Sequence, residues 1–182
     1  LWIVSFINVM NFIDGLDGLA AGISTIAALT LLVVSLQQGM PSAILLSAAL
    51  AGSAVGFLRY NFNPAKIFMG DAGSMFLGFT LAAVSVEGVM KSALAVSVLV
   101  PVLALAVPIF DTAFAIVRRL AGGRSIGQAD KDHLHHRLLR LGLSHRKTVL
   151  VMWGVSAALG LSAVALTEVN FAEAMVIVGI VL

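Results

Sequence analysis

The sequence predicts an all-α, polytopic membrane helical bundle, and three observations support that fold class. The chain is 60% hydrophobic and 11% charged, with a mean hydropathy of +1.05, whereas soluble domains carry roughly a quarter charged residues. Several apolar runs are each near the roughly 17 to 25 residues that cross a bilayer as a helix. Ten of the eleven Lys and Arg residues and all four His lie in short segments between those runs.

The apolar runs predict five full and two partial transmembrane helices. The full runs are residues 20–36, 42–58, 72–86, 92–117 and 148–167, and the partial runs are 1–10 and 169–182. The chain starts on an apolar Leu without a basic n-region, which is not the pattern of a signal peptide. We therefore interpret residues 1–182 as one membrane-embedded domain, and we expect it to be a fragment of a longer chain.

Two local patterns refine the helices. Pro101 and Pro108, inside the run 92–117, predict a kinked helix, because proline removes a backbone donor and clashes with the preceding turn. The segment 132–143 has the spacing of a short amphipathic helix lying on a membrane surface. Close helix packing is predicted at two pairs of glycines four residues apart: Gly18 and Gly22, and Gly52 and Gly56.

The polar residues fall into three segments, 8–22, 59–74 and 118–147. Counting the predicted crossings places all three on one side, together with every Lys and Arg except Lys91. By the positive-inside rule that side is cytoplasmic, with loops at about 11–18, 59–71 and 118–147. We expect a multi-pass protein of a bacterial cytoplasmic (inner) membrane whose site faces the cytoplasm.

In the first segment, four polar residues recur every three positions: Asn8, Asn11, Asp14 and Asp17. If the helix continues through them, they project from one face towards the bundle interior. Ionisable groups at membrane depth are costly and usually functional. The alternative is capping, since Asp-Gly dipeptides form turns and Asp17 could cap a helix starting near Leu19.

In the second segment, Asp71 lies between glycines at the start of a predicted helix. A helix start offers free backbone N–H groups to a phosphate. Asp71 could cap that helix, or it could be a ligand for Mg²⁺, which prefers oxygen donors and typically takes one or two carboxylates plus substrate phosphates.

In the third segment, imidazoles cluster beside a guanidinium: His133, His135, His136 and Arg137. Zinc is disfavoured, because adjacent imidazoles on a helix point in different directions and no further zinc pattern follows. Donors for a pyrophosphate fit better, since Arg binds phosphate in bidentate fashion. We expect His145 at the surface, and we interpret Asp111 either as a buried partner for a basic residue or as a site residue.

Together, these segments resemble the polyprenyl-phosphate N-acetylhexosamine-1-phosphate transferase family. NVMNFIDGLDGLAAG is similar to its Asn-x-x-Asn-x-x-Asp-Gly-x-Asp-Gly-Leu motif, and NPAKIFMGDAGSMFLGF to its Asn-Pro-Ala-x-x-Phe-Met-Gly-Asp-x-Gly-Ser motif. DKDHLHHRLLRLGLSHR resembles the third, in the form typical of the branch that starts teichoic-acid, O-antigen and related polymers, of which an undecaprenyl-phosphate N-acetylglucosaminyl 1-phosphate transferase is an example.

The resemblance implies an enzyme, a Mg²⁺-dependent phosphoglycosyl transferase, with Mn²⁺ as an alternative ion. It implies transfer of N-acetylhexosamine 1-phosphate from a UDP-sugar, expected to be UDP-N-acetylglucosamine, to undecaprenyl phosphate with release of UMP. By position, the metal ligands are Asn11 and Asp71. The implied catalytic carboxylates are Asp14, Asp17 and Asp71. The expected substrate-binding residues are Asn8, Asp17, Phe68, His133, His135, His136 and Arg137, with Asp17 and Phe68 at the uracil and the last three at the phosphates.

Two other functions compete with this one. The peptidoglycan-precursor branch of the same family transfers phospho-N-acetylmuramoyl-pentapeptide, although its third motif usually has three consecutive His preceded by Pro. A membrane transporter also uses carboxylates and His, but it predicts ionisable groups near the bilayer midplane. The expected partners are the two substrates and the lipid bilayer, with a homodimer as a candidate assembly and no nucleic acid.

One departure from the family pattern concerns an Asp-Asp pair. Family members carry this pair on an earlier cytoplasmic loop, where it is thought to serve the prenyl phosphate, and the 182 residues contain no adjacent Asp pair. We therefore expect the complete protein to be a transferase and this chain alone to be inactive.

Overall fold

The computed structural model describes residues 1–90, 96–123 and 133–167. Within these ranges all regular secondary structure is helical, as the sequence predicts. The helices are α1 (Trp2–Ile13), α2 (Leu19–Gln37), α3 (Pro41–Asn61), α4 (Gly70–Met90), α5 (Val96–Ala104), α6 (Ala106–Ala121), α7 (Leu134–Arg140) and α8 (His145–Ala165). The predicted partial helix at 169–182 lies outside the described residues.

Three helices of the described part, α2, α3 and α8, are long and apolar enough to cross a membrane on their own. Helices α5 and α6 together form a fourth candidate span. The 12-residue α1 corresponds to the first partial run, and α4 covers the predicted run 72–86. The prediction of a polytopic helical bundle is therefore confirmed, with three or four spans identified by length and composition where the sequence predicted five full ones.

The predicted kink in the fourth span is a complete break. The axes of α5 and α6 differ by 82°, and Leu105 separates the two helices. A proline clashes with the carbonyl four residues earlier, which for Pro108 is the carbonyl of Ala104, the last residue of α5. Pro108 itself then occupies the first turn of α6, where its missing N–H costs nothing.

Helix α2 is the most buried of the candidate spans and packs against α3 and α8. Glycine permits the close contact with α8, because any β-carbon on Gly22 would overlap the indole of Trp153. A β-carbon on Gly78 of α4 would lie 2.6 Å from the carbonyl oxygen of Phe6 in α1. The prediction of close packing is confirmed for Gly22, whereas Gly52 and Gly56 face open space within the described part of the chain.

These contacts bring the three polar segments to one end of the bundle. That end contains the turn between α1 and α2, the connection between α3 and α4, and helix α7 with the start of α8. Hydrogen bonds join the first two segments, and a ring contact between Phe12 and His133 joins the first to the third. Among the described residues, the polar groups of the three segments share one end of the fold, as the sequence predicts.

Candidate active site

The first polar segment is not one continuous helix. Helix α1 ends at Ile13, and Asp14 follows as its C-cap with its backbone N–H bonded to the carbonyl of Asn11. The prediction that Asn8, Asn11, Asp14 and Asp17 lie on one helical face is therefore wrong. The two Asp-Gly dipeptides favour turns, and the chain turns through them before α2 begins.

Asn8 is the most exposed of these four residues. Its side chain is exposed, and its amide donates to the carbonyl of Val4 at 2.8 Å, one turn earlier in α1. This bond holds the side chain against its own helix. The role of Asn8 in substrate binding stays a prediction.

Asn11 joins the first segment to the second. Its amide nitrogen donates to Oδ1 of Asp71 at 3.1 Å and to Oγ of Ser74 at 3.0 Å. Asp71 lies in the first turn of α4, directly after Gly70, which has a left-handed φ of 66°. The two residues expected to share a metal ion are therefore direct neighbours, although they lie 60 positions apart in the sequence.

Asp14 adds a second carboxylate to this junction. Burial of the side chain, and next the negative charge of Asp71, raise the pKa of the Asp14 carboxyl from 3.8 to about 6. A carboxyl whose pKa is displaced by burial and a like charge is typical of a functional site. With Asn11, the junction offers two carboxylates and one amide, all oxygen donors of the kind that Mg²⁺ prefers.

No three His, Cys, Asp or Glu side chains converge as a ready-made metal site in residues 1–90, 96–123 and 133–167. A cation held at the junction would therefore need further oxygen ligands from its substrate or from water. This is the usual arrangement for Mg²⁺, which keeps few protein ligands and completes its shell with phosphate oxygens and water. The donor set of Asn11, Asp14 and Asp71 fits such an ion.

Asp17 faces the connection between α3 and α4. Its Oδ2 accepts from Nδ2 of Asn63 and from the backbone N–H of Ala65, each at 3.0 Å. The N-cap of α2 is Gly18 with a left-handed φ of 80°, and no side chain caps that helix. The alternative in which Asp17 caps α2 is therefore wrong.

A second bond fixes the same turn. The backbone N–H of Gly18 donates to Oδ1 of Asn61, and Nδ2 of Asn61 donates to the carbonyl of Ile67, each at 3.0 Å. Phe68 follows in this connection with 74% of its side chain exposed. The exposed ring provides an open stacking surface, and the predicted contact of Asp17 and Phe68 with uracil stays a prediction.

In the third segment, His133 forms a buried pair with Asp111. Nδ1 of His133 lies 3.0 Å from Oδ2 of Asp111, and the backbone N–H of Leu134 donates to Oδ1 of the same carboxylate at 2.7 Å. The structure thus selects one of the two interpretations of Asp111, as the buried partner of a basic residue. Helix α7 then runs over Leu134–Arg140, so the predicted short helix at 132–143 is confirmed for these seven residues, and the described residues on either side of them are not helical.

His135 is the most enclosed imidazole of the site. Its side chain is 1% exposed, neither ring nitrogen has a hydrogen-bond partner, and a β-carbon on Gly15 would lie 2.6 Å from its Nε2. Burial, and next the charge of His136, lower the pKa of His135 to about 4. The ring is therefore neutral at pH 7, and it contacts the turn between α1 and α2 directly.

His136 and Arg137 are more accessible. The ring of His136 is half-buried and lies 4.1 Å from that of His135, whereas Arg137 is exposed, with its guanidinium 5.6 Å from the ring centre of Phe114. His145, expected at the surface, is instead partly buried at the first residue of α8.

A groove of about 280 Å³ opens beside Arg137, between α6, α7 and α8. Its walls are mostly apolar, and the cations Arg118 and Arg137 line it together with Asp111. The apolar part includes Phe110, Phe114, Val155 and Leu159. A cavity of this size with few polar groups is suited to an amphiphilic ligand with a hydrocarbon part and an anionic part.

Comparison with known proteins places this geometry in a family. The sequence profile of glycosyl transferase family 4 matches residues 1–89, which include the Asn11–Asp71 junction and the Asp17 network. The chain belongs to glycosyl transferase family 4.

Relatives extend the match of this family 4 chain to the third segment. It is 49% identical over 166 residues, 91% of its length, to a probable undecaprenyl-phosphate N-acetylglucosaminyl 1-phosphate transferase of Bacillus subtilis (strain 168). It is 45% identical over 82% of its length to a decaprenyl-phosphate N-acetylglucosaminephosphotransferase of Mycobacterium tuberculosis (strain ATCC 25618 / H37Rv). A phospho-N-acetylmuramoyl-pentapeptide-transferase of Listeria innocua is 36% identical over 85% of the chain.

The family 4 chain spans less than half the length of these relatives. The matched region covers 46% of the Bacillus protein, 42% of the Mycobacterium protein and 46% of the Listeria protein. Identity to the two N-acetylglucosaminyl phosphate transferases exceeds identity to the pentapeptide transferase, as the form of the third motif predicts.

Sequence reasoning missed several residues that build the family 4 site. Asn61 and Asn63 hold the Asp17 turn, and Nε of Arg146 donates to the carbonyl of Asn63 at 2.9 Å from the first turn of α8. The two asparagines flank a phenylalanine within a polar segment, and this clustering of amides near a predicted carboxylate was the available signal. The sequence offers no comparable signal for Gly15, whose importance comes from the approach of His135.

Proposed function

We propose that the complete protein transfers N-acetylglucosamine 1-phosphate from UDP-N-acetylglucosamine to undecaprenyl phosphate and releases UMP, as the first membrane step of a surface polymer. The observation that carries the proposal is the hydrogen bond between Asn11 and Asp71, because it makes one site of two motifs 60 positions apart. The names of the Bacillus and Mycobacterium relatives supply the same reaction class.

The proposed chemistry is a single phosphoryl transfer. An oxygen of the lipid phosphate attacks the sugar-bearing phosphorus of the donor, and the bond from that phosphorus to the oxygen bridging to UMP breaks. UMP leaves with the bridging oxygen, and the lipid phosphate gains the sugar 1-phosphate, which gives a lipid-linked sugar pyrophosphate. Such a reaction depends on positioning and on neutralising negative charge, and its nucleophile is already an anion.

Asp71 and Asn11 would hold Mg²⁺ or Mn²⁺, with the Asp14 carboxylate beside them. A bound divalent ion supplies charge neutralisation at the pyrophosphate. The protein's own contribution is the amide of Asn11, which donates to Asp71 and to Ser74 and so holds the Asp71 carboxylate in place before substrate binds. A cation at this position would also favour the ionised form of Asp14 over the protonated form that burial favours.

The third segment would bind the phosphates mainly through Arg137 and His136. Both are accessible from solvent, and guanidinium binds phosphate in bidentate fashion. His135 is neutral, buried and in contact with the turn at Gly15. In the proposed enzyme it holds that turn against α7 and can donate one N–H if the turn opens as substrate binds.

The groove between α6, α7 and α8 would accept the lipid. Its apolar walls suit isoprenoid units, and Arg118 and Arg137 lie where an anionic headgroup would be neutralised. Membrane association also follows from the apolar helices. In the proposed complex, the headgroup and the nucleotide phosphates would lie on either side of Arg137.

The test uses the full-length protein in nanodiscs with UDP-N-acetylglucosamine, undecaprenyl phosphate and Mg²⁺. We expect equimolar UMP and lipid-linked sugar pyrophosphate, with loss of at least about a hundredfold in turnover for Asp71→Asn while its melting temperature stays unchanged. Thr80→Val, a partly exposed position further along α4, is the matched control and should keep full activity. Full turnover by Asp71→Asn would remove the metal assignment, and absence of UMP from the wild type would remove the proposed function.

A second candidate is transfer of phospho-N-acetylmuramoyl-pentapeptide, which the name of the 36% identical Listeria relative supports. The same assay with UDP-N-acetylmuramoyl-pentapeptide separates the two. We expect the ratio of kcat to KM to favour UDP-N-acetylglucosamine by at least about a hundredfold, and the reverse ratio would select the second candidate.

We also propose that the site faces the cytoplasm across a bacterial inner membrane. Single cysteines can test this, because residues 1–182 contain none. Lys66 lies at the polar end of the bundle, and Gln38 follows the opposite end of α2; both are exposed. A membrane-impermeant maleimide added outside spheroplasts should label Gln38→Cys and leave Lys66→Cys unlabelled, and the opposite pattern would invert the topology.

The lack of an Asp-Asp pair supports a further part of the proposal, namely that residues 1–182 alone are inactive. Purified in detergent, this chain should release no UMP from UDP-N-acetylglucosamine, whereas the full-length protein should. Turnover by the 182-residue chain would show that no additional segment is required. Crosslinking of the full-length protein in nanodiscs would test the expected homodimer.

A further inference from the structure

Asp111 is a carboxylate in the middle of α6, within an apolar run. Its side chain is 8% exposed, and both oxygens are occupied: Oδ1 accepts from the N–H of Leu134 at 2.7 Å, and Oδ2 lies 3.0 Å from Nδ1 of His133. A buried carboxylate is costly unless it is paired and hydrogen-bonded. Asp111 meets both conditions through two consecutive residues of the third segment.

We propose that Asp111 is a positioning residue for the transfer reaction: it orients His133 and fixes the start of α7, and so sets where Arg137 lies. The inference rests on the proposed function. Asp111 also lines the groove assigned to the lipid, but both of its oxygens are occupied by residues of the third segment, so it acts through the groups that it holds.

The first effect is on the backbone of α7. This helix has seven residues, and its N-cap, His133, makes no side-chain cap. The N–H of Leu134, which has no partner within the helix, donates to Asp111 instead. The carbonyl of His133 accepts from the N–H of Arg137 at 3.1 Å. Asp111 thus substitutes for a local cap and determines where the first turn of α7, which carries Arg137, begins.

The second effect is on the ring of His133. When Nδ1–H donates to the carboxylate, a neutral imidazole keeps its lone pair on Nε2. The ring lies between Phe12, whose centre is 6.3 Å away, and His135, whose ring is parallel within 2° at 5.8 Å. The carboxylate therefore selects one tautomer of a ring that its neighbours already hold in place.

The kinetic test uses Asp111→Asn in the full-length protein. The new amide keeps an oxygen for Leu134 but presents N–H to Nδ1 of His133, so that the fold is retained and the imidazole must change tautomer or turn. We expect kcat for UMP release to fall by about 10- to 100-fold, as is usual when an orienting partner is lost. The KM for UDP-N-acetylglucosamine should stay within about threefold. Ala113→Ser, exposed on the same helix, is the matched control and should behave as wild type.

A purely structural role for Asp111 predicts a different pattern. Asp111→Asn would then lower the melting temperature while leaving kcat per folded molecule unchanged, and that result overturns the proposal. Asp111→Glu supplies a further check, because a carboxylate in the longer side chain should recover part of the kcat lost in Asp111→Asn if orientation of His133 is what matters. Failure of Asp111→Glu to exceed Asp111→Asn also counts against it.

A spectroscopic measurement separates this inference from the proposed function. In ¹⁵N-histidine-labelled protein, the signals of His133 can be assigned by their loss in His133→Gln. We expect the Nδ1–H tautomer in the wild type and the Nε2–H tautomer in Asp111→Asn, whether or not UMP is released. The Nε2–H tautomer in the wild type would overturn the positioning role, even if the transferase activity is present.

Discussion

The side-chain amide of Asn11 donates to Oδ1 of Asp71, 3.1 Å away, across the interface between α1 and α4. The close approach of these two helices makes the bond possible, and Gly78 permits that approach by leaving room for the backbone of Phe6 and Ile7. The close packing of α1 against α4 at Gly78 thus sets the distance between Asn11 and Asp71 at the polar end of the bundle.

Replacement of Asn11 by Ala should weaken the metal dependence of the enzyme. The variant loses one oxygen donor and the bond that orients Asp71, so the Mg²⁺ concentration for half-maximal UMP release should rise by about 10- to 100-fold. A Mg²⁺ titration of initial rates measures it. Ser5→Ala, an exposed position on α1, should leave the titration unchanged; an unshifted curve for Asn11→Ala would show that Asn11 is not a ligand.

Asp14 should make the folded state less stable as the pH rises. Its pKa is raised from 3.8 to about 6 by burial and by Asp71, so the folded chain binds its proton more tightly than the unfolded chain does. The free energy of unfolding contributed by this group is therefore highest below about pH 4 and falls as the pH rises through 6. Because His135 titrates in the same interval, the quantity to measure is the melting temperature of the wild type minus that of Asp14→Asn, and this difference should fall between pH 4.5 and 7. An equal pH dependence in the variant would contradict the assignment.

His135 should act in the opposite direction. Its pKa is lowered from 6.5 to about 4 by burial, so that the unfolded chain takes up a proton in this interval and the folded chain does not. The free energy of unfolding therefore falls as the pH drops from about 6.5 to 4. His135→Leu removes the titrating group together with two buried nitrogens that lack partners. It should be more stable than the wild type at pH 5, and greater sensitivity to acid in the variant would refute the prediction.

The close contact between α2 and α8 predicts a contrast between two glycines. Gly22→Ala places a methyl group into the indole of Trp153, and such overpacking typically costs about 1–3 kcal/mol of stability. Gly56→Ala meets no heavy atom within 4 Å in the described part of the chain and replaces a helix-interior glycine, so it should be neutral or stabilise by up to about 1 kcal/mol. Thermal unfolding in one detergent measures both. Equal losses would mean that Gly56 is covered by a part of the protein outside these residues.

Gly22→Ala should also reduce activity. The ring of Trp153 lies 5.5 Å from that of Phe62, which directly precedes Asn63, a donor to Asp17. A displaced indole therefore moves the connection that holds the Asp17 turn. UMP release per folded molecule measures this effect separately from stability.

Much of the fold could be predicted from the sequence, because apolar length and charge placement follow from the requirements of a bilayer. The broken span illustrates the limit: Pro101 and Pro108 predict a disturbance, but a kink and an 82° break differ only in how neighbouring helices satisfy the freed carbonyls. Charge segregation predicted that the polar segments meet at one end, and they do.

The site was less predictable than the fold. The spacing suggested that one helical face carries Asn8, Asn11, Asp14 and Asp17. The helix ends before Asp14, and turns at the two Asp-Gly dipeptides break that face. The burial of His135 depends on a glycine 120 positions earlier in the chain, and sequence spacing carries no information on such a contact. Asp111 could be recognised as an expensive buried carboxylate, whereas its partner could be named only from the fold.

The break at Leu105 has a consequence for how turnover would depend on the concentration of the lipid acceptor. Since α6 runs nearly at right angles to α5, the groove between α6, α7 and α8 is bordered by one arm of a bent helix pair as well as by the candidate span α8. An acceptor that enters such a groove sideways keeps its tail in hydrocarbon, so its encounter with the protein is confined to two dimensions. Its apparent affinity would then follow the mole fraction of acceptor in the bilayer: adding inert phospholipid at constant bulk acceptor should slow turnover by surface dilution, while the KM for the soluble nucleotide donor stays constant.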